Sequence, residues 1–438
     1  MLILPIHVQA QELSLHDAVQ HLERANGKLQ AAKSLEKKSE YEVSQSRGRH
    51  LPNLDFNASY THINDDISIN LNQIRDAIGM LHQLPEPGAV LGDWQPVLQQ
   101  QDFGSADVTM KWPVFTGGKL NLADKAARLK SSASQTQTES TREELLASLT
   151  EAYFRVRMAS EALDLRQQVE NSVKVHTQNA EKLFENGMIP KVELLNAEVA
   201  LSNAQREVQA ARRDLALART ALNNLIGDES YDSLSTGLFA PKAVQNLDFY
   251  QDQALLTHSQ LRYLRQQSEL AQLGVKKERL SYIPDVALFG KKYLYTNNLP
   301  ITEPNWAVGV GLSVNVFDGF RRENSIKVAS AQAEQVNHLI TQAERDIQTY
   351  VEKLYNELMK QQEQYQSLQK DEKLALELKF MRERAFEEGM GTSVNVVDAT
   401  VNLASIRLKQ YQALYQYDTA FARLALVADQ WDELIQNL

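Results

Sequence analysis

Cysteine is absent from the 438-residue sequence, which excludes a disulfide framework, thiolate zinc, iron–sulfur clusters and cysteine nucleophiles. With no amino-terminal cysteine, a lipid anchor is not expected. Glycine and proline are scarce, at 18 and 11 residues, and unevenly placed. Between Gly118 and Gly187 lie 68 residues with neither, and between Gly319 and Gly389 lie 69. Each stretch suffices for roughly 100 Å of unbroken helix at 1.5 Å per residue, more than an ordinary globular core accommodates. Basic residues are outnumbered, 46 against 56 acids, for a formal charge of −10, so the clustered cations that a nucleic-acid partner needs are missing. No apolar run reaches 18 residues and the mean hydropathy is −0.41, which excludes a membrane-spanning helix. The chain is either soluble or crosses a membrane as β-strands.

Catalytic patterns are missing too. The nine histidines are scattered, and the nearest pair, His16 and His21, is five apart where a helical metal pair needs four. Val308-Gly309-Val310-Gly311 lacks the third glycine and the helix opening of a dinucleotide loop. Glu387-Glu388 reads as a solvated helix end. No Ser/His/Asp arrangement stands out, so the expectation is a protein that is not an enzyme and has no metal and no cofactor.

What is present is a duplication. Phe115-Thr116-Gly117 aligns with Phe317-Asp318-Gly319 at an offset of 202 residues, and the same offset pairs Phe184 with Phe386, Gly187 with Gly389, and Asn196-Ala197 with Asp398-Ala399. Upstream, Leu29 pairs with Leu261 and Leu51-Pro52 with Ile283-Pro284 at an offset of 232, so the first copy carries 30 extra residues between Ile63 and Gly104. Each copy reads helix, strand, loop, strand, very long helix, glycine turn, long helix. Within the extra segment Ile69, Leu71, Ile74, Ala77, Ile78 and Leu81 suggest one short amphipathic helix. At the amino end, Met1 to Ala10 reads as the remnant of a secretory signal without its basic region.

Four strands are predicted, near 54–62, 105–115, 285–295 and 306–317. Leu54, Phe56, Ala58 and Tyr60 alternate with polar neighbours, as do Ala106, Val108, Met110, Trp112 and Val114, and Val308, Val310, Leu312, Val314 and Val316. The strand through Val286, Leu288 and Gly290 is less clean, and Lys292 falls on its apolar face. Ten or so residues with one apolar and one polar face suit a tilted strand across a bilayer, although a half-buried soluble sheet gives the same pattern. Four strands cannot close a membrane barrel, so the chain would have to oligomerise. Two copies supply eight strands and three supply twelve, and counting does not choose between them.

The helices after the glycine turns carry a heptad. Leu194, Leu201, Val208, Leu215 and Leu222 occupy one seam position and Ala197, Ala204, Ala211, Ala218 and Leu225 the other. The second copy repeats this as Val396, Leu403, Gln410, Tyr417 and Leu424 with Ala399, Ile406, Ala413, Ala420 and Val427. In the preceding helix Leu145, Leu149, Ala152, Val156, Ala159 and Leu163 show the same spacing. Each pair of long helices is therefore expected to fold back as an antiparallel coiled-coil hairpin.

Val114-Phe115-Thr116-Gly117-Gly118 and Val316-Phe317-Asp318-Gly319 at strand-to-helix junctions, with Phe184-Glu185-Asn186-Gly187 leading to Val192-Glu193-Leu194-Leu195-Asn196-Ala197, resemble the TolC family of outer-membrane factors. Phe386-Glu387-Glu388-Gly389 followed by Val394-Asn395-Val396-Val397-Asp398-Ala399-Thr400 is closer still. The resemblance covers nearly the whole chain after residue 10. It implies a mainly α fold with membrane β. In this fold four strands per chain enter a trimeric twelve-stranded outer-membrane barrel, and the hairpins form a periplasmic tunnel. It implies as partners a homotrimer, outer-membrane lipid, a periplasmic membrane-fusion adaptor and an inner-membrane pump. Gly187, Met188, Ile189, Gly389, Met390 and Gly391 would form the adaptor-docking tips, and Gly117, Gly118 and Gly319 the strand–helix junctions. Asp398 would be a pore-constricting carboxylate. Asn395 stands where the family carries a second aspartate, which weakens the expected acid ring.

The expected organisation is a signal remnant at 1–10 and a first repeat at 11–226, with its hairpin at 118–226 and tip near 187–191. A connector at 227–246 leads to a second repeat at 247–438, with its hairpin at 319–438 and tip near 389–393. The expected function is a passive exit duct for a tripartite efflux or export system, located in the outer membrane and extending into the periplasm. The alternatives are the exit duct of a one-step (type I) protein secretion system and a coiled-coil scaffold with no channel.

Overall fold

The computed structural model of the chain describes residues 12–227, 231–239, 244–298 and 304–436. The signal remnant at 1–10 and parts of the connector at 227–246 lie outside these residues. The first repeat runs β1 (Glu12–Leu13), α1 (Leu15–Ala25), α2 (Gly27–Gly48), β2 (Asn53–His62), β3 (Ile67–Ser68), α3 (Asn72–Leu81), α4 (Pro87–Leu91), β4 (Val97–Gln99), β5 (Asp102–Phe115), α5 (Lys119–Glu185) and α6 (Lys191–Ile226). The second runs β6 (Ser233–Leu234), α7 (Leu247–Thr257), α8 (Ser259–Leu280), β7 (Asp285–Asn297), β8 (Trp306–Ser313), α9 (Arg321–Glu387), α10 (Ser393–Val427) and α11 (Trp431–Gln436).

The duplication holds element by element. Helices α1 and α7 have 11 residues each, α2 and α8 have 22, and α5 and α9 have 67. Even the caps correspond: Ser14 Oγ accepts from Asp17 N–H ahead of α1, and Asn246 Oδ1 accepts from Phe249 N–H ahead of α7. The chain divides into two compact units that cut across the repeats, each repeat contributing to both.

One unit comprises residues 1–38, 132–268 and 335–438. Its main core sets Leu15, Leu22 and Leu29 against Leu146, Leu149 and Phe154 of α5 and Leu222 and Ile226 of α6, each fully buried aliphatic side chain contributing about 1.5–3 kcal/mol. The Tyr153 hydroxyl, inside that core, donates to Leu13 O at 2.7 Å and accepts from Thr236 N–H at 3.0 Å, which fastens the parallel β1–β6 pair. The heptad seams lie where the spacing puts them. Gln410, the polar departure, is buried and satisfied, donating to Leu368 O and to the Glu372 carboxylate. The second hairpin stops earlier than expected: α10 ends at Val427 and Asp429 turns left-handed (φ 55°), so residues to 436 form the separate α11.

The other unit comprises residues 39–131 and 269–334 and holds an antiparallel sheet in the order β2-β5-β7-β8. Phe56, Val108, Lys292 and Trp306 form one row across it and Asn57, Asp107 and Tyr293 the next, so apolar and polar faces alternate as the sequence predicts. Strand β7 slips twice against β5: the register shifts between Ala106 and Asp107, which leaves Leu294 unpaired and moves Tyr295 onto the apolar face, and again between Pro113 and Phe115, beside Val286. Lys292 does lie on that face, level with Trp306 at the start of β8. The fourth strand is shorter than expected. The alternation continues to Val316, but β8 ends at Ser313, whose partner Asp285 is the first residue of β7 and follows Pro284, which has no N–H to extend the ladder.

The extra segment of the first copy is more structured than the single helix expected. Besides α3 it contains α4 and the β3–β4 pair. Asn72 bridges the Asp93 carboxylate and Trp94 N–H, and the Arg75 guanidinium donates to Gly92 O.

Candidate functional site at the hairpin tips

The expected tip residues form two turns of one design. In the first, Gly187 (φ 68°) donates to Phe184 O at 2.9 Å and Met188 N–H to Leu183 O at 2.8 Å. In the second, Gly389 (φ 74°) donates to Phe386 O at 2.9 Å and Met390 N–H to Ala385 O at 2.8 Å. This is the Schellman arrangement, in which a left-handed residue satisfies the last carbonyls of a helix. The left-handed φ, not lack of space, favours glycine here: a Cβ at either position would meet nothing within 4 Å. Met188 and Met390 are left 62% and 75% exposed, while Ile189 is half-buried. Gly391 is a different case: its φ is not left-handed, but a Cβ there would press within 3.0 Å of the Phe386 backbone.

The two hairpins meet just behind these turns. Ala180, Ala197, Phe386 and Val396, one from each of α5, α6, α9 and α10, form a buried cluster with Leu183, Ile189 and Leu194 against it. Beside it, His176 Nε2 lies 2.6 Å from the Ser393 hydroxyl, Ser393 N–H donates to Glu193 Oε2 at 2.7 Å, and the Phe386 ring covers the imidazole at 4.7 Å between centroids. Burial pushes the His176 imidazole below its ordinary pKa, against the opposing pull of Glu383 and Glu193. Residue by residue this junction was not foreseeable, because His176 is one of nine scattered histidines and its partner is 217 positions away.

Asp398, expected at the constriction, projects exposed from the second turn of α10, and Asn395 lies half-buried one turn before it. The Asn395 N–H is capped by the Thr392 side chain at 3.4 Å. A groove of about 500 Å³ runs beside them, lined by Val173, Val199, Val394, Val397 and Val401. Val199, Val394, Val397 and Val401 are off the heptad seam, whereas Val173 of α5 is buried in a core cluster with Leu165, Val169 and Ala404. Along α10 the spacing of three and four from Val394 to Val397 to Val401 is a second apolar stripe, legible in the sequence. At the strand–helix junctions Gly117, Gly118 and Gly319 all have left-handed φ (59°, 84° and 71°), and a Cβ at Gly117 would strike Ile283 at 2.5 Å. Among the described residues no group of three or more acidic or histidine side chains is placed to hold a metal.

This pairing of a four-stranded sheet with two tip-turned hairpins is matched by known proteins. The family model for outer membrane efflux proteins matches residues 18–228 and 251–428, one segment per repeat. The chain belongs to the outer membrane efflux protein family. Its localisation is accordingly the outer membrane, with extension into the periplasm. The alkaline protease secretion protein AprF of Pseudomonas aeruginosa is 23% identical over 304 residues, covering 66% of this chain, and the match spans 62% of that relative's length. Among solved structures, CusC superposes with a TM-score of 0.76 at 13% identity, covering 98% of both chains. VceC from Vibrio cholerae gives 0.75 at 15% identity, over 94% of this chain and 95% of that one. At such identities these two establish the fold.

Proposed function

We propose that three copies of this chain assemble into an outer-membrane exit duct, a twelve-stranded barrel continued by a helical tunnel into the periplasm. The open sheet carries this reading. Among the described residues β2 pairs only with β5 and β8 only with β7, so each chain presents two unsatisfied backbone edges that hydrocarbon does not tolerate. Neighbouring copies close them, β2 of one against β8 of the next. The exposed apolar row of β2 (Leu54, Phe56) and of β8 (Val308, Val310, Leu312) then faces lipid.

The duct is passive. An inner-membrane pump supplies the energy, and a periplasmic adaptor docks on the tips at Gly187–Ile189 and Gly389–Gly391. Asp398 of each copy projects into the lumen, where three carboxylates on one axis repel one another and favour cations. Asn395 supplies hydrogen bonds in place of a second charge ring. The similarity to a protein named for alkaline protease secretion favours a second reading, in which the same duct serves one-step protein export. A scaffold without a channel leaves the four strands without a use.

The test is extraction from outer membranes in detergent, chemical crosslinking, and conductance in a planar bilayer. A crosslinked trimer with single-channel conductance is expected. Crosslinking that stops at dimers, or protein recovered only in the soluble fraction, defeats the proposal. A tag at Gly92, in the extra segment between β2 and β5, is expected to be labelled on intact cells.

A further inference from the structure

The first residue of α10 is held by side chains of the other repeat. Ser393 is fully buried; its hydroxyl meets His176 of α5 and its N–H is capped by Glu193 of α6. Both bonds act on the turn that goes on to carry Asn395 and Asp398. We propose that His176 is the positioning residue of the α10 amino-terminus, and that its protonation releases this turn, so that acid loosens the junction between the two hairpin tips.

The neutral ring suits the site, because a serine hydroxyl complements Nε2 whether that nitrogen donates or accepts. An imidazolium has two N–H donors to satisfy in a buried pocket, and a charged donor competes with Ser393 N–H for the Glu193 carboxylate. The charged groups facing the ring are Glu193 from α6 and Glu383 from α9, the latter paired with Lys379 at 2.7 Å; α10 contributes the uncharged Ser393. The two carboxylates favour protonation and burial opposes it more strongly, so the ring titrates below the ordinary histidine range. The sign follows: a depressed folded pKa gives a contribution fully present above about pH 6.5 and lost as pH falls through the folded value. The proposal concerns contacts within one chain, so its failure leaves the duct reading untouched.

The absence of native cysteine allows clean spin labelling of the full-length protein at the exposed positions Glu181 on α5 and Glu387 on α9. Dipolar distances between them are measured from about pH 8 to about pH 5. The expected distribution is narrow at high pH and about twofold wider in acid. His176→Gln, whose amide meets the same hydroxyl without titrating, is expected to stay narrow throughout, and Ser393→Ala to be wide at both extremes. Glu383→Gln keeps both bonds but removes a charge that favours the imidazolium, so its broadening shifts to lower pH. Acid broadening of His176→Gln that matches wild type, a narrow Ser393→Ala at high pH, or an unmoved midpoint in Glu383→Gln overturns the proposal.

Discussion

The two hairpins stop their first helix identically and then diverge. Both tips use a left-handed glycine with the same pair of hydrogen bonds, yet the N-cap of α6, Pro190, supplies no side-chain bond whereas that of α10, Thr392, does. The divergence continues along the helices. In α6 the seam residues Ala197, Ala204, Val208, Ala218 and Leu222 are buried, but Leu217, Val199 and Val192 are open. In α10 burial extends beyond the seam to Thr400, Ala404, Leu414 and Asp418. Asp418 corresponds to exposed Ala216, and burial raises its pKa well above the ordinary carboxylate value while Phe239 N–H donates to it. One heptad thus serves two environments: α10 is surrounded within its own chain, and α6 leaves an apolar side exposed.

The largest expected effect tests that difference directly. Tyr417 and Leu215 are heptad equivalents, the first fully buried and ringed by Phe239 and Phe421, the second half-buried. Tyr417→Ala is expected to cost about 3–5 kcal/mol and Leu215→Ala less than half of that, read from thermal unfolding in detergent. Equal losses would mean that the two helices are equally enclosed.

The shared stop should respond alike in both copies. Gly187→Val and Gly389→Val place a β-branched residue at positive φ, costing about 1–3 kcal/mol each. Asparagine at either site is expected to be nearly neutral, because the space is open and Asn tolerates a left-handed backbone. If the tips dock an adaptor, the valine variants lose efflux and adaptor crosslinking while the trimer persists; loss of the trimer assigns them a folding role.

The different starts separate next. Thr392→Ala removes a cap and is expected to cost about 1 kcal/mol, whereas Pro190→Ala, which removes no side-chain hydrogen bond, stays within about 0.5 kcal/mol. Amide hydrogen exchange in the first turns of α10 and α6 reads the contrast.

The smallest effect on stability is expected at Asp398, an exposed residue for which alanine changes folding by about 0.5 kcal/mol or less. On the proposed duct its effect falls on permeation instead. Asp398→Ala is expected to lower cation selectivity and weaken block by divalent cations in a bilayer at low salt, and Asn395→Asp to strengthen that block. Identical selectivity in wild type and Asp398→Ala would make the residue an ordinary solvated helix charge.

The amino-acid sequence by itself determined the duplication, the long helices, the glycine turns and the heptad seams. All of these depend on residues close in the chain: the spacing of apolar side chains, and the presence or absence of glycine and proline. It also placed the strands to within a few residues. Tertiary structure decided where pairing ends and slips, as at Ser313 and Leu294, because a ladder needs a partner backbone that only the neighbouring strand supplies. It decided the folded excursion between β2 and β5, whose α4 and β3–β4 pair are too short to carry a periodic signal. And it alone brought His176, Glu193, Phe386 and Ser393 together, since a contact between repeats has no local signature and exists only once both hairpins are packed.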